Sequence, residues 1–163
     1  MGIKYLVTGA AGHLGSNLVR ELLESGRHDI RVLVMPEDKS SAELPCGIEQ
    51  VKGDLLDKAA LAQFFDVPEG TDIIVIHCAG IVSTSMKYSK KIYEVNVGGT
   101  KNIVDACVTN HVKKLVYVSS IHAMPTLPQG QMMAEIEDFD PSKVVGPYAK
   151  TKAEATAYVS AAV

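Results

Sequence analysis

Cysteine is scarce and badly placed for cross-linking. Cys46, Cys78 and Cys107 are an odd-numbered, widely separated set. That excludes a disulfide framework, and no Cys-x-x-Cys pair is present for metal or redox work. The five histidines and three cysteines form no ligand cluster in sequence. A reducing, cytoplasmic setting is the simplest expectation for such thiols. Excess charge is also lacking. The net charge is −3, so neither nucleic acid nor an anionic membrane is expected as a partner. No apolar run approaches the ~20 residues that cross a bilayer. Met1-Gly2-Ile3-Lys4 leads straight into a strand pattern, without the layout of a secretory leader. Repeats and low-complexity segments are missing too. What remains is a chain of 163 residues, 47% hydrophobic and 21% charged. That composition suits one globular domain with its own core, taken as residues 1–163.

Apolar, β-branched runs alternate with segments of helical period. Strands are expected at Ile3 to Thr8, Ile30 to Met35, Ile48 to Gly53, Ile73 to His77 and Leu115 to Ser119. The fourth, Ile-Ile-Val-Ile-His, is apolar on both faces, as in a buried parallel sheet. Helices are expected from His13 to Ser25, after a cap at Asp57, unbroken from Tyr88 to Asn110, and from Pro147 to the chain end. Gly26 stands where a left-handed C-cap is wanted. Residues 121–146, with three of the seven prolines, read as a long loop. Such alternation implies right-handed βαβ units in an α/β, Rossmann-like, doubly wound parallel sheet of order 3-2-1-4-5. Ligands are expected at the carboxyl ends of its strands, where the order switches between strands 1 and 4.

Thr8-Gly9-Ala10-Ala11-Gly12-His13-Leu14-Gly15 joins the first strand to the first helix. Glycine serves where φ is positive and where no Cβ may stand between backbone and ligand. Free amides at the helix start, with its dipole, then bind a pyrophosphate. The spacing is G-x-x-G-x-x-G rather than G-x-G-x-x-G, and the strand-then-helix setting is what makes it informative. At the end of strand 2 an acid would hold a ribose 2′-hydroxyl and an arginine a 2′-phosphate. This chain has Met35-Pro36-Glu37-Asp38 there, which leaves NAD and NADP both open. Asp54, in Gly53-Asp54-Leu55-Leu56, suits either an adenine contact or a turn.

Tyr148 and Lys152 are four residues apart at a helix start and share a face. A phenol is an ordinary poor base at neutral pH. An ammonium at ~4 Å is worth roughly 4 kcal/mol at an effective dielectric of 20, which favours the phenolate. Such a pair can pass a proton near neutrality. Ser120, at the end of strand 5, is placed to hydrogen-bond a substrate oxygen. Lys152 is also placed to hold the nicotinamide ribose.

With these motifs the chain resembles the extended short-chain dehydrogenase/reductases, the NAD-dependent epimerase/dehydratase and dihydroflavonol-reductase-like group. The resemblance covers essentially all 163 residues. It rests on Gly9, Gly12 and Gly15; Asp54; His77-Cys78-Ala79-Gly80; Asn96-Val97-Gly98-Gly99-Thr100; Ser120; and Tyr148 with Lys152. It implies a catalytic set of Ser120, Tyr148 and Lys152. It implies cofactor contacts at Gly9, Gly12, His13, Leu14, Gly15, Met35, Asp54, Leu55, Ala79 and Gly80, and at Tyr148 and Lys152. The substrate implied is a small carbonyl or hydroxyl compound or a sugar nucleotide. A homodimer through helices 88–110 and 147–163 is implied as well. Two departures stand out. Ile121-His122-Ala123-Met124-Pro125 replaces the V-Y-G that follows the serine in many epimerases, and Met35 stands where NADP-using relatives carry arginine. The family continues well beyond a Tyr–Lys helix, so residues 1–163 are expected to be the N-terminal part of a longer member, with the C-terminal strands and substrate domain absent.

Other residues carry less. His77 reads as a packed, hydrogen-bonded histidine rather than a catalyst, since no acid partner is visible. Asn96 reads as a helix-packing or water-relay residue, and His122 as a loop histidine that either reaches substrate or, as loop histidines usually do, simply faces solvent. The leading function is hydride transfer with Tyr148 as general acid/base. A non-catalytic dinucleotide-binding regulator and a cofactor-binding fragment are the alternatives, and fold alone does not choose among them.

Overall fold

The structure, a computed structural model, describes residues 2–162; the expected domain limits Met1 and Val163 lie outside the described residues. Two compact units are distinguished, Met1–Ala79 with Asn102–Val118, and Gly80–Lys101 with Ser119–Val163.

The first unit carries five strands, β1 (Ile3–Thr8), β2 (Ile30–Val34), β3 (Glu49–Lys52), β4 (Asp72–His77) and β5 (Lys114–Tyr117). All pair in parallel in the order β3-β2-β1-β4-β5. The expected order is therefore found. Every position of β2 is buried, which is what a central strand covered on both faces requires. Val7, Val19, Ile30, Val32, Val34 and Ile76 form the core beside it. Each such side chain contributes roughly 1.5–3 kcal/mol of burial. Register aligns Thr8 with Leu33 and His77, and His77 with Tyr117. The carboxyl ends of the strands thus share one edge.

Helix α1 (His13–Glu24) ends in a Schellman motif. Gly26 is left-handed (φ +80°), its amide donates to Leu23, and Arg27 donates to Leu22. Helix α2 (Lys58–Phe65) is capped by Asp57, whose carboxylate accepts from the amides of Ala59 and Ala60. At the opposite end of α2, Arg31 does the capping. Its Nη1 donates to the carbonyls of Gln63, Phe64 and Asp66 at 3.2, 3.0 and 2.7 Å. Its Nη2 pairs with Glu49, which also pairs with Lys4. Lys4 and Arg31 are both buried, a cationic pair inside a strand layer that the apolar pattern alone did not announce.

The second unit holds α3 (Lys90–Tyr93), a π-helical turn (Glu94–Gly99), the first two residues of α4 (Thr100–Thr109), and α5 (Pro147–Ala161). The expected unbroken helix from Tyr88 to Asn110 is corrected here. It begins at Lys90, capped by Ser89, and is interrupted by the π turn. Gly98 and Gly99 weaken the α-helical register locally. The Asn96 side chain is drawn onto the backbone of Ile81, which favours the wider turn. The expected loop 121–146 contains two short 3₁₀ turns, Ile121–Ala123 and Pro141–Lys143. Ala123, Val144, Ala149 and Ala153 form a small core under α5.

Candidate active site

In the first unit the glycine turn is dictated by space. Gly9 has φ +70°, and a Cβ there would lie 2.6 Å from the Ala79 amide nitrogen. A Cβ on Gly15 would collide with the Gly9 carbonyl. Gly12 differs, since only Gly9 O lies within 4 Å of a Cβ built there, at 3.2 Å. Gly12 is the N-cap of α1, and no side chain among the described residues caps that helix. The helix start is thus a run of backbone amides with no side-chain cap among the described residues, with the tight approach of Gly9 to Ala79 and of Gly15 to Gly9 holding it in place. His13 is exposed and Leu14 half-exposed. The His13 carbonyl takes the Asn17 side chain at 2.7 Å.

Three further groups share the carboxyl edge of the sheet. Met35 is half-exposed just past β2. Asp38 is committed to its own loop, accepting from Ser40, while Glu37 is exposed. Asp54 Oδ1 accepts from the Leu56 amide at 2.9 Å, an Asx turn. Leu55 is buried and its carbonyl takes the Asn102 amide group, so its side chain belongs to the core. His77 is buried, shares a 2.6 Å hydrogen bond with the Thr8 hydroxyl and stacks on Tyr117. The Ala79 amide also reaches Thr8 Oγ1, at 3.3 Å. The packed reading of His77 is therefore what the geometry gives. Thr8, the post that joins these pieces, drew no attention in sequence; a threonine between an apolar strand and a glycine turn was its signal.

In the second unit, donor and acceptor roles separate the two serines. Thr156 Oγ1 donates its proton to the Lys152 carbonyl at 2.6 Å. Ser119 Oγ, 2.6 Å from Thr156 Oγ1, must then be the donor in that pair. Among the described residues Ser120 Oγ only accepts, from the His122 amide at 3.2 Å, and its own proton has no acceptor there. Tyr148 and Lys152 sit one turn apart on α5. Lys152 is buried, unusual for a lysine. Asn96, 3% exposed, accepts from Ile81 N and donates to Ile81 O and to Thr151 Oγ1. Thr151 in turn donates to the Tyr148 carbonyl at 2.7 Å. Asn96 thus packs the first turn of α5, as its packing reading expected. Gly80 lies beside it, a Cβ there standing 3.3 Å from Asn96 Oδ1. The anchoring threonines, Thr151 and Thr156, were missed in sequence; their places next to Lys152 and four residues beyond it were the signal.

Comparison with known proteins decides the family. The profile of the 3-beta hydroxysteroid dehydrogenase/isomerase family matches residues 6–163. This chain belongs to that family. Among the curated relatives of this 3-beta hydroxysteroid dehydrogenase/isomerase family member is the 3 beta-hydroxysteroid dehydrogenase type 7 of Mus musculus, 38% identical over 123 residues, covering 74% of this chain and 33% of the relative. The UDP-glucose 4-epimerase of Dictyostelium discoideum is 33% identical, covering 91% of this chain and 44% of the relative. Among solved structures, the UDP-glucose 4-epimerase of Thermus thermophilus, in complex with NAD, superposes with a TM-score of 0.80 at 28% identity, over 97% of this chain and 50% of that one. The chain spans a third to a half of the length of these relatives. The extended short-chain dehydrogenase/reductase resemblance is thereby shown, as is the Rossmann-like α/β fold.

Proposed function

We propose that residues 1–163 are the dinucleotide-binding part of an NAD(P)-dependent oxidoreductase or epimerase/dehydratase of the extended short-chain dehydrogenase/reductase type. The uncapped start of α1 carries the reading. Its amides and dipole suit a pyrophosphate, and Gly9, Gly12, His13, Leu14 and Gly15 form that cradle. Met35, Asp54, Leu55, Ala79 and Gly80 are proposed as the remaining cofactor contacts, Leu55 through its backbone. The bound nicotinamide supplies or takes up a hydride. Tyr148 gives a proton to a carbonyl oxygen or takes one from an alcohol, Ser120 donates a hydrogen bond to the same oxygen, and the Lys152 ammonium favours the phenolate and holds a ribose hydroxyl. NAD is preferred in this proposal, since the carboxylates of Glu37 and Asp38 follow β2 and repel a 2′-phosphate.

The protein is proposed to be cytoplasmic. Its partner surface is proposed to be a homodimer face on segments 88–110 and 147–163. On it Glu154 accepts from the Tyr93 hydroxyl and pairs with Lys101, which lies over Tyr158, so these polar groups are satisfied before any partner arrives. Among the described residues no helix is long and apolar enough to cross a membrane and no metal-ligand group occurs.

Calorimetric titration with NAD+ and NADP+ tests the reading, together with turnover of a carbonyl and sugar-nucleotide panel by the longer protein and its Tyr148→Phe variant. Loss of at least about 100-fold in kcat for Tyr148→Phe is expected. Dinucleotide binding without Tyr148-dependent turnover favours the non-catalytic regulator.

A further inference from the structure

We propose that the cavity between α3, the segment before it and the first turns of α5 binds a soluble monocarboxylate with an apolar body, such as a medium-chain fatty acid. Its volume is about 490 Å³, inside the ~300–1,000 Å³ range of small-molecule sites. All of its lining belongs to the second unit. Met86, Tyr88, Ile92, Tyr93 and Pro147 make the walls mostly apolar. Met86 and Tyr88 are each 70% exposed, so a ligand covering them removes large apolar side chains from water. Met86 stands over the start of α5, its Sδ 3.5 Å from where a Cβ on Gly146 would lie. The lining residues of α5 are Pro147, Lys150, Thr151 and Glu154, one helical face by their spacing. Tyr148 and Lys152 are not among them. The site is therefore separate from the proton-transfer set and stands whether or not that set is active.

Charge selects the head of the ligand. Glu154 is the one carboxylate of the lining, and its Oε1 already accepts from the Tyr93 hydroxyl at 2.9 Å and from Lys101 at 3.0 Å. Lys150 is the one ammonium of the lining. It is exposed, and no ion pair to it occurs among the described residues. Lys87, Lys90 and Lys91 stand between the lining residues of the opposite wall. Of these only Lys90 has a carboxylate, that of Glu94 at 3.4 Å. The rim is thus cationic, and an organic cation placed there meets like charge. Apolar walls below a cationic rim ask for one negative charge at one end of an apolar body. A second copy of this chain does not supply it from segments 88–110 and 147–161, because Glu94, Asp105 and Glu154 are each engaged within their own chain.

The test is methyl NMR of the chain carrying ¹³C-methyl methionine, titrated separately with decanoate, acetate and decyltrimethylammonium. Decanoate is expected to shift Met86 saturably and to leave Met124 and Met133, which line a different cavity of about 210 Å³, in place. Acetate, with the charge and no apolar body, should not move Met86. The ammonium should bind at least about fivefold more weakly than decanoate. Lys150→Glu, with an unchanged thermal midpoint, should bind decanoate about fivefold more weakly, and Lys150→Arg within about twofold of the parent. No saturable Met86 shift, an equal shift with acetate or with the ammonium, or full decanoate affinity in Lys150→Glu overturns the proposal. A Met86 resonance that moves with protein concentration and no longer answers to decanoate also overturns it, in favour of a second copy of the chain. One that answers only to phosphatidylglycerol vesicles overturns it in favour of a membrane surface.

Discussion

Replacing Gly15 or Gly12 by alanine separates the two tasks of the glycine turn. A Cβ on Gly15 falls on the Gly9 carbonyl oxygen, with Gly9 C at 2.8 Å and Ala10 Cα at 2.9 Å. All are backbone atoms, so relief requires the β1–α1 turn itself to move. Overpacking costs about 1–3 kcal/mol where side chains can yield. None can here, so the upper end applies, and about 3 kcal/mol lowers the thermal midpoint by roughly 6–12 °C in a chain of this size. Gly12 is different, with φ −79° and a single neighbouring atom at 3.2 Å. Alanine there gives up some N-cap preference, about 0.5–1 kcal/mol, and regains about 0.4–1 kcal/mol from the stiffer unfolded chain. The midpoint should stay within about 3 °C. The methyl nevertheless crowds the amides proposed to hold a pyrophosphate, so NAD+ affinity should fall about tenfold or more, at least ~1.4 kcal/mol. Calorimetry and thermal melting on the same preparations read both effects. A Gly12→Ala chain with full NAD+ affinity, or a Gly15→Ala chain as stable as its parent, refutes the reasoning.

Four other outcomes are expected. Arg31→Met strips three carbonyls of their donor and Glu49 of one of its two cations, so a loss of about 3 kcal/mol is expected in urea unfolding, with NAD+ binding preserved because Arg31 lies at the amino ends of the strands. The hydrogen bond from Arg31, against burial and with help from Lys4, holds the Glu49 carboxyl below the ordinary range. Its stabilisation is therefore present above the unfolded value of about 4.3 and is lost as pH falls through the lower folded value, a decline that Glu49→Gln should flatten. Burial pushes the Cys107 thiol up to about 12, so a disulfide reagent at neutral pH should label exposed Cys46 first and Cys107 only on unfolding. His111 closes the helix at Thr109 with φ +49°, accepting a left-handed conformation that glycine adopts freely, and His111→Gly should raise the thermal midpoint by about 1–4 °C.

The fold was legible because its signals are local and repeated. Apolar β-branched runs alternating with helical stripes imply parallel βαβ units, and right-handed crossovers then leave little choice of order. Gly26 and Asp57 announced their caps for the same reason, since the chemistry of a cap lies within three residues. What escaped depends on distance in sequence. Arg31 sits among apolar neighbours in β2, and nothing near it says that the end of α2, more than thirty residues on, will supply its acceptors. The π turn is similar, since the asparagine inside it finds its partners back at Ile81. In the candidate site the glycines, Ser120, Tyr148 and Lys152 form a recognisable pattern, whereas the hydroxyls that brace them, Thr8, Thr151 and Thr156, become visible only through their partners.

The two halves of the proposed chemistry place different demands on the sequence. A pyrophosphate cradle is made of backbone, so it constrains glycines and little else, and it tolerates many side chains around it. A proton-transfer set needs a few hydroxyls in defined donor or acceptor roles. In the pair Ser119-Ser120 one proton is committed inside the fold to Thr156, and that commitment leaves the other for a ligand. Neither demand selects a substrate. Selection must therefore fall to side chains that stand beside the reacting groups without a committed role in the fold. Sequences sharing the glycines and the Tyr–Lys pair but differing in the segment after Ser120 should share a cofactor and part company over substrate, which a swap of residues 121–125 between two such relatives measures directly.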